Sequence, residues 1–400
     1  MRIKKETIPK GWELKKISDM LSYERPDKYI VKSVAYNKNY QTPVLTANKS
    51  FILGYTDEEF GIYKDTPVII FDDFTTDSKF VDFPFKVKSS AIKILKPKTK
   101  EVNLKFVFEK IKSINFPIGN HKRYYISEYQ DLDILVPKRK KEQNKIAEIL
   151  SKVDEDINKT EEVIKEIEKL KKGLAKELFV RGIGHKKFKK SELGEIPIEW
   201  EVTTIKKSRI KLVDGDRGVN YPKLKDFSKK GYCVFLNNKN IKNDRFVFDE
   251  CNFVSKEKDE NLRKGKLERD DIILTSRGTV GNVAYYNSLI LYENIRINSG
   301  MLIFRHGENY DPLFLYKLMS GYFMKKKYKE MGSGSAQPQL PIKSIELIKI
   351  PLLPTDEQRQ IAKIISSIDL KIEINKEIKN KLIQLKKGLM NDLLSGEVRV

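Results

Sequence analysis

An internal repeat constrains the fold of this chain more than any other feature of the sequence. Residues 142–179 align without gaps to residues 357–394, with 15 identities in 38 positions, including Glu-Gln-x-x-Ile-Ala-x-Ile and Leu-Lys-Lys-Gly-Leu in both copies. The segments 8–13 and 196–201 also match, and they contain the only two tryptophans, Trp12 and Trp200. Because a long repeat encodes one structural unit twice, we predict the order globular domain, helix, linker, globular domain, helix.

The longer repeat has helical periodicity. Its apolar residues recur at steps of three and four, which places them on one stripe of a helix and forms a heptad seam. Two matching seams in one chain should pair, so we predict two long helices that form an antiparallel coiled coil. Thr355-Asp-Glu-Gln358 is a candidate capping box for the second helix. The predicted seams are Ile146, Leu150, Val153, Ile157, Ile164, Ile167, Leu174 and Leu178, and Ile361, Ile365, Ile368, Ile372, Leu382, Leu385, Leu389 and Leu393.

Glycines occupy the same place in both copies of the repeat, at Gly173 and Gly388. A glycine inside a helix costs about 1 kcal/mol relative to alanine, so each requires a reason. Two interpretations stay open: a close approach of the two helices, or the nearby end of each helix.

The net charge of the chain indicates a polyanionic partner. Lys and Arg number 78 against 56 Asp and Glu, which gives a formal net charge of +22. Such an excess attracts nucleic acid through its long-range field and through counterion release. A lysine-rich proteome encoded by an AT-rich genome is the alternative explanation of the charge alone.

The composition disfavours several other classes of protein. The two cysteines, Cys233 and Cys251, and the three histidines lack the clustered spacing of a zinc site or a disulfide framework. The first residues lack the apolar run of a secretory leader, and no uncharged segment is long enough to span a bilayer. We expect a protein without metal that is soluble and cytoplasmic.

Both globular domains mix strand-like and helical segments, which predicts an α/β (α+β) fold. Alternating or continuous apolar runs of four to six residues are typical of strands, and longer amphipathic runs are typical of helices. The predicted strands are 68–71, 91–95, 271–274, 283–286 and 301–304, and the predicted helices are 106–114 and 312–324.

Three segments have the composition of DNA-recognition loops: 119–125, 275–281 and 332–339. Arginine can read guanine in the major groove and amides can read adenine, while small residues permit close approach. Polar loops with no binding role are the alternative, and Glu293 could hold Arg296 in a structural ion pair. The candidate DNA-binding residues are His121, Lys122, Arg123, Tyr124, Ser276, Arg277, Thr279, Arg296, Ser333, Ser335 and Gln337.

The sequence lacks the motifs of the enzymes that act on DNA. It contains no Gly-x-x-x-x-Gly-Lys-Ser/Thr loop, no Asn/Asp-Pro-Pro-Tyr/Phe segment and no glycine-rich cofactor loop after a strand. We therefore predict a recognition scaffold with no catalytic residues and no metal ligands. A single-chain DNA methyltransferase or nuclease with divergent motifs is one alternative, and a coiled-coil adaptor that binds proteins is another.

The motifs and their order resemble the specificity (S) subunits of type I restriction–modification systems. The resemblance rests on Ile-Pro-x-x-Trp at the start of each half, Ile-Pro-Leu-Leu-Pro at 350–354, the Glu-Gln-x-x-Ile-Ala and Leu-Lys-Lys-Gly-Leu repeats, and the final Leu-Leu-Ser-Gly-Glu-Val. It covers essentially the whole chain. The first half departs in one place, because Leu135-Val-Pro137 is followed by basic residues rather than a second proline.

The resemblance implies that each globular domain reads one half of a split double-stranded DNA target. It implies that the helices set the distance between the half-sites and dock two methyltransferase (M) subunits, with restriction (R) subunits joining the complex. S-adenosylmethionine, ATP and Mg²⁺ would then belong to these partners, and methylation would typically fall on adenine N6. The expected boundaries are 1–138 and 196–355 for the two recognition domains, 139–180 and 356–400 for the helices, and 181–195 for a linker. We call residues 1–138 the first head and residues 196–355 the second head.

Overall fold

A computed structural model describes residues 8–48, 50–119, 122–332 and 338–400. Its contacts divide the chain into two units. Residues up to Glu162 and from Lys376 onward form one unit, and Val163–Asn375 form the other. Each unit therefore contains one head together with part of each long helix.

The first head consists of an antiparallel sheet, a smaller mixed sheet and a separate pair of strands. Its larger sheet has the order β2-β8-β5-β6, with all neighbours antiparallel, and its smaller sheet has the order β4-β3-β7, in which β3 and β7 are parallel. β1 pairs with β9 beside them. The elements are β1 (Trp12–Lys16), α1 (Ile17–Met20), β2 (Leu21–Glu24), β3 (Thr42–Leu45), β4 (Ile52–Thr56), β5 (Val68–Asp72), β6 (Ser78–Val81), β7 (Lys86–Val87), β8 (Ile92–Pro97), α2 (Leu104–Ser113) and β9 (Asp133–Pro137).

The second head repeats this topology and adds a short antiparallel pair, β15 with β16. Its larger sheet has the order β13-β21-β18-β19, its smaller sheet has the order β17-β14-β20 with β14 and β20 parallel, and β12 pairs with β22. The duplicated fold is therefore confirmed. The elements are β12 (Glu201–Thr204), β13 (Lys211–Asp214), β14 (Cys233–Leu236), β15 (Ile241–Lys242), β16 (Arg245–Phe246), β17 (Asn252–Val254), α4 (Lys256–Asn261), β18 (Ile272–Thr275), β19 (Val283–Tyr285), β20 (Ile295–Ile297), β21 (Met301–Arg305), α5 (Pro312–Ser320), α6 (Tyr322–Gly332), α7 (Ile342–Glu346) and β22 (Lys349–Leu352).

The predicted strands and helices of both heads are present, and apart from one interrupted helix their ends differ by no more than two residues. One predicted helix, 312–324, is interrupted at Gly321, where α5 ends and α6 begins. The central strands β5 and β18 are buried along their whole length, which explains their continuous apolar sequences. The segment 181–195, expected to be a linker, contributes to a β-hairpin of β10 (Phe188–Ser191) and β11 (Gly194–Pro197).

The two long helices are α3 (Lys140–Arg181) and α8 (Thr355–Ser395). Within each unit they run antiparallel. In the first unit, the ion-pair partner on α8 moves back by seven residues, from 386 to 379, when the partner on α3 moves forward by seven, from 154 to 161. That spacing is one heptad, so the predicted antiparallel pairing is confirmed. The cross-helix ion pairs are Asp154–Lys386 at 2.6 Å and Glu161–Lys379 at 2.8 Å in the first unit, and Lys171–Asp369 at 2.5 Å in the second.

One predicted seam residue is misplaced. Leu385 is 52% exposed, whereas its neighbour Lys386 is only 6% exposed. The lysine is tolerated there because it forms ion pairs with Asp154 and, at 2.9 Å, with Glu109 of α2. The buried heptad position in this part of α8 is therefore occupied by Lys386 and not by Leu385.

The repeated glycines do not mark a close approach. A Cβ atom added to Gly173 or to Gly388 would meet nothing within 4 Å, so both face open space. Each also lies several residues inside its helix, since α3 continues to Arg181 and α8 to Ser395. Neither interpretation of these glycines explains them.

Two glutamines of the repeat tie the start of each long helix to the adjacent head. The backbone N–H of Asn103, which caps α2, donates to Gln143 Oε1 at 3.0 Å, and that of Asp311, which caps α5, donates to Gln358 Oε1 at 2.9 Å. Gln358 therefore does not complete a capping box with Thr355, and that prediction is wrong. The glutamine instead seats the head on the helix.

Candidate nucleic-acid interface

Several connecting segments of the second head meet at one end of its sheets. The pairings of Asp214 with Leu302 and of Thr275 with Met301 show that β13 and β18 end where β21 begins. The segments are joined to one another by the bonds described below. We call them the second-head edge: residues 215–223 after β13, 237–239 after β14, 276–281 after β18 and 298–300 before β21.

The carbonyl of Gly300 positions the turn that carries Arg277. The backbone N–H groups of Ser276 and Arg277 both donate to it, at 2.8 and 3.1 Å. Gly278 and Gly281 adopt φ of +72° and +93°, a conformation that glycine reaches without strain. Arg277 is half-buried, and its guanidinium has no hydrogen bond or ion pair to any residue that the structure describes. It is thus available to a ligand.

Asn238 supports the same turn and was missed by the sequence reasoning. Its Nδ2 donates to the carbonyl oxygen of Arg277, and its Oδ1 is buried without a partner among the described residues. The first head has a counterpart, because Thr75 Oγ1 donates to Asn48 Oδ1 at 3.4 Å. Both asparagines precede a lysine at the end of the middle strand of the smaller sheet. That repeated Asn-Lys pair was a usable signal.

Basic side chains flank Arg277 on the second-head edge. Arg217 forms an ion pair with Asp214 at 2.9 Å and donates to the carbonyl of Ser299 at 3.3 Å. Its side chain still remains 47% exposed. Arg263, whose side chain is more exposed, lies 3.6 Å from Asp216. The cations are therefore oriented by carboxylates but remain accessible from solvent.

Asp216 organises the base of this segment. Burial acts to raise the pKa of its carboxyl group, but hydrogen bonds from the backbone N–H groups of Gly218 and Arg263 outweigh burial and hold the pKa below its usual range. The carboxylate therefore stays ionised and keeps Arg263 at the edge.

Arg296 does not belong to this surface, and its predicted exposure is wrong. It is 5% exposed, with Nε 2.5 Å from Asp259 Oδ1 and Nη1 donating to the carbonyl of Lys264 at 2.8 Å. Glu293, the partner considered from the sequence, is not the residue that holds it. Burial acts to raise the pKa of Asp259, but bonds from Lys266 and Arg296 outweigh it, so the pKa is lowered and the pair remains charged.

The first head has an equivalent edge. The N–H of Asp73 donates to the carbonyl of Ala91 at 2.9 Å, just as that of Ser276 donates to Gly300. The N–H of Tyr124 donates to the carbonyl of Asp73 at 2.9 Å, which brings the described end of the predicted loop, residues 122–125, to this edge. We call the segments 25–41, 46–48, 73–77 and 88–91 the first-head edge.

The candidate residues of the first head divide by exposure. Lys122 and Arg123 are exposed: Lys122 forms an ion pair with Glu128, and Arg123 Nη2 lies 3.4 Å from Ser90 Oγ. Tyr124 is 1% exposed, so its ring is part of the core and its predicted place on the surface is wrong.

The remaining candidates are placed as follows. Thr279 is exposed on the Arg277 turn, whereas Ser276 is 6% exposed and contributes mainly backbone. The segment before Leu340 reaches the same turn, because the N–H of Gly278 donates to the carbonyl of Pro338 at 3.2 Å. His121, Ser333, Ser335 and Gln337 lie outside the described residues.

Neither a metal cluster nor a membrane-spanning helix is found in the described ranges. No group of three or more His, Cys, Asp or Glu side chains is placed to hold a metal ion there. No helix among those residues combines the length and apolar character needed to cross a bilayer.

Comparison with known proteins identifies the family. A family model described as the type I restriction modification DNA specificity domain matches residues 9–169 and 197–384, which include both heads and most of both helices. The chain belongs to this family of type I DNA specificity subunits. The predicted family and fold class are therefore confirmed.

Relatives of known assignment cover different shares of the chain. The type I restriction enzyme MjaVIII specificity subunit of Methanocaldococcus jannaschii is 28% identical over 415 residues, covering 98% of this chain and 94% of that protein. The EcoR124I/EcoR124II specificity subunit of Escherichia coli is 47% identical over 126 residues, covering 30% and 31%.

Solved structures share the fold. The type I restriction-modification S subunit from M. genitalium has a TM-score of 0.62 and 18% identity, covering 98% of each chain. A chain from a structural study of complex assembly and conformational transition in a type I R-M system has a TM-score of 0.59 and 14% identity, covering 98% of this chain and 99% of that one.

The family assignment decides between the alternatives left open by the sequence. Specificity subunits are the non-catalytic components of type I systems, so the chain is a DNA specificity subunit and not a single-chain methyltransferase or nuclease. The same identity supports a chain that holds no cofactor of its own.

Proposed function

We propose that each head reads one half of a bipartite double-stranded DNA target through its edge. The observation that carries this proposal is the equivalence of the two edges. In both heads the turn after the central strand of the larger sheet is bonded to the segment before the last strand, through Asp73 and Ala91 or Ser276 and Gly300. Basic side chains are exposed beside both turns, where a polyanion would meet them first.

Base reading in the second head is assigned to the turn around Arg277. An unpaired, partly exposed guanidinium on a turn held by backbone hydrogen bonds suits bidentate contact with guanine. Thr279 lies beside it, and the backbone of Ser276 holds the turn in place. We retain Ser333, Ser335 and Gln337 as further contacts of the second head, and His121, Lys122 and Arg123 as contacts of the first.

The helices are proposed to dock two methyltransferase subunits. Support comes from large apolar side chains that are exposed at equivalent places of the two helices, Val163 with Ile378 and Leu170 with Leu385, between 43% and 61% exposed. Exposed apolar residues of this kind mark interaction surfaces. Their duplication suits two copies of one partner arranged around a pseudo-twofold axis.

The remaining expectations follow from this assembly. The duplicated strand order supports the expected boundaries. These are recognition domains at 1–138 and 196–355, helices at 139–180 and 356–400, and a connection at 181–195. S-adenosylmethionine would reside on the methyltransferase subunits, and ATP and Mg²⁺ on the restriction subunits. A protein that acts on chromosomal DNA with these partners belongs in the cytoplasm.

Exchange of one head tests the proposal. Residues 196–355 are replaced by the same region of a related specificity subunit, and methylated sites are mapped with the complete complex. We expect one half of the target to change while the other half is kept. The reciprocal exchange of residues 1–138 should change only the other half. A change in both halves, or in neither, would rule out independent heads.

A second measurement tests whether methyl transfer requires the methyltransferase subunits. The purified chain, supplied with S-adenosylmethionine and target DNA, should transfer no methyl groups, and addition of the methyltransferase subunits should restore transfer. Methylation by the chain alone would contradict the proposal.

A further inference from the structure

A short motif recurs in the two heads outside the long repeats. It reads Lys-Ser-Val-Ala-Tyr-Asn-Lys at 32–38 and Arg-Gly-Val-Asn-Tyr-Pro-Lys at 217–223, that is, basic-x-Val-x-Tyr-x-Lys in both places. Both copies lie in the connection between the first strand of the larger sheet and the first strand of the smaller one. We call 32–38 and 217–223 the paired loops.

The tyrosine anchors each loop to its edge. Tyr221 lies 5.7 Å from Phe235 in an edge-to-face arrangement, and its hydroxyl oxygen is 3.5 Å from the N–H of Ser299. Tyr36 packs so closely on Gly54 that a Cβ there would lie 2.5 Å from its own Cβ, and Lys88 Nζ is 5.8 Å from its ring centre. The tyrosine therefore anchors each loop to the smaller sheet of its head, on β14 in the second head and on β4 in the first.

The valine and the basic residues of each loop face solvent. Val34 is 68% exposed and Val219 is 97% exposed, while Lys32, Lys38 and Lys223 are exposed beside them. Arg217 is also exposed and is oriented by Asp214 and the carbonyl of Ser299. An apolar side chain between two cations on a fixed loop suits a surface that alternates negative and apolar groups.

The DNA backbone is such a surface, because charged phosphates alternate with apolar sugar faces. The two heads differ over most of their exposed residues, as reading two different half-sites requires. A motif kept in both should contact what the half-sites have in common, and that is the backbone and not the bases. Arg277, which follows Ser276 as Phe74 follows Asp73 in the first head, differs between the heads and lies on the adjoining turn.

We propose that the paired loops grip the DNA backbone independently of sequence, one loop at each half-site. The first and last basic residues of each loop contact phosphates, and the valine packs against the sugar between them. This inference rests on the proposed DNA recognition by both heads and adds the elements that set affinity without setting specificity.

Aspartate substitutions at the valines test whether the paired loops contact the DNA backbone. Val34→Asp and Val219→Asp place a carboxylate against the DNA backbone, and because both valines are exposed the substitutions should leave the fold intact. Leu291→Asp is the matched control for Val219→Asp, because Leu291 is 92% exposed in the second head but follows β19, at the opposite end of the sheet. Each variant is assembled with the methyltransferase subunits, and affinity is measured for a duplex with the target and for one without it.

We expect Val34→Asp and Val219→Asp to weaken binding to both duplexes by a similar factor, about tenfold at low salt, with an unchanged methylated target. Leu291→Asp should bind like the unsubstituted complex. Arg217→Gln and Lys32→Gln should each reduce the slope of log affinity against log salt concentration by about one, which corresponds to the loss of one phosphate contact.

Three outcomes overturn the proposal: unchanged affinity in both valine variants, loss of affinity for the target duplex alone, or a change in one base of the methylated target. Failure of the underlying DNA recognition is distinguishable, because the unsubstituted complex would then not prefer the target duplex at all.

Discussion

Trp200 donates its indole N–H to Glu357 Oε2 at 2.9 Å, and Trp12 donates in the same way to Glu142 Oε1 at 3.2 Å. These contacts join the two sequence repeats, since each tryptophan ends the Ile-Pro-x-x-Trp segment of a head and each glutamate begins a repeated helix segment. Both indoles are buried, so their N–H groups require an acceptor. The glutamate supplies it.

Removal of Glu357 should destabilise the second unit. Its Oε1 also accepts the backbone N–H of Ile183 at 2.9 Å and contacts His185 Nε2 at 2.8 Å, so Glu357→Ala leaves several groups without a partner. We expect a loss of about 2–3 kcal/mol in the free energy of unfolding, and a smaller loss for Glu357→Gln. Chemical denaturation followed by circular dichroism measures both. Glu260→Ala, which removes only an exposed ion pair with Lys256, is the control and should change stability by under about 0.5 kcal/mol.

Asp369 should make stability depend on pH in the acid range. Burial acts to raise the pKa of its carboxyl group, but Lys171 and Lys317 outweigh burial and hold the pKa below its ordinary value of 3.8. A lowered folded pKa contributes stability above the unfolded pKa, and that stability is lost as pH falls through the folded pKa. The stability difference between the unsubstituted chain and Asp369→Asn should therefore be greatest near neutral pH and vanish in strong acid. Urea denaturation across pH tests this, with the exposed Asp356→Asn as a variant whose difference should stay small at every pH.

Arg277→Ala should relax the recognised sequence at one position of one half-site. Loss of a base-reading arginine costs about 1–3 kcal/mol in binding to the target and little in binding to other DNA. Affinity measurements with both duplexes and mapping of methylated sites in the complete complex test this. Arg245→Ala removes an exposed arginine that pairs with Glu373 of α8, and it should leave the target unchanged. If Arg277→Ala weakened binding to all DNA alike, the arginine would be a phosphate contact instead.

Longer helices should widen the gap between the half-sites. Four residues inserted after Lys159 in α3, and four at the equivalent Ile374 in α8, add about one turn or about 6 Å to each helix. DNA rises about 3.4 Å per base pair, so the gap should grow by one or two base pairs while the bases read stay the same. Insertions of two residues rotate each seam by about 200° and should abolish assembly. Methylated sites mapped with an unchanged gap after the four-residue insertions would show that the helices do not set the spacing.

Charged substitutions on the exposed seam flank should impair assembly equally from either helix. Leu170→Lys and Leu385→Lys place a cation at equivalent positions that are 61% and 52% exposed. If each binds one copy of the same methyltransferase subunit, each variant should lose one copy and retain the other, which native mass spectrometry measures. Lys169→Glu, at an exposed position paired with Glu166, controls for a general effect of charge. Retention of two copies by both leucine variants would contradict docking at these residues.

The sequence predicted the duplicated fold, the antiparallel helices and the central strands because each leaves a periodic or repeated pattern. It could not place Lys386 on the seam, because hydrophobic periodicity favours Leu385 and the ion pairs with Asp154 and Glu109 exist only after folding. The burial of Arg296 was missed for the same reason, since Asp259 is 37 residues away in the chain. Asn238 was missed although an Asn-Lys pair recurs at 48–49 and 238–239, because two residues are too short a repeat to stand out before the contact with the carbonyl of Arg277 is known.

The seating of both heads through the same glutamate and glutamine has an evolutionary consequence. A head that arrives by recombination brings its own tryptophan and helix cap, and it finds at residues 142–143 or 357–358 the same pair of side chains that held its predecessor. A crossover within the repeated coding segments therefore replaces a whole reading surface and leaves the junction intact. Exchange of a head at this junction should therefore need no compensating mutation in the helices.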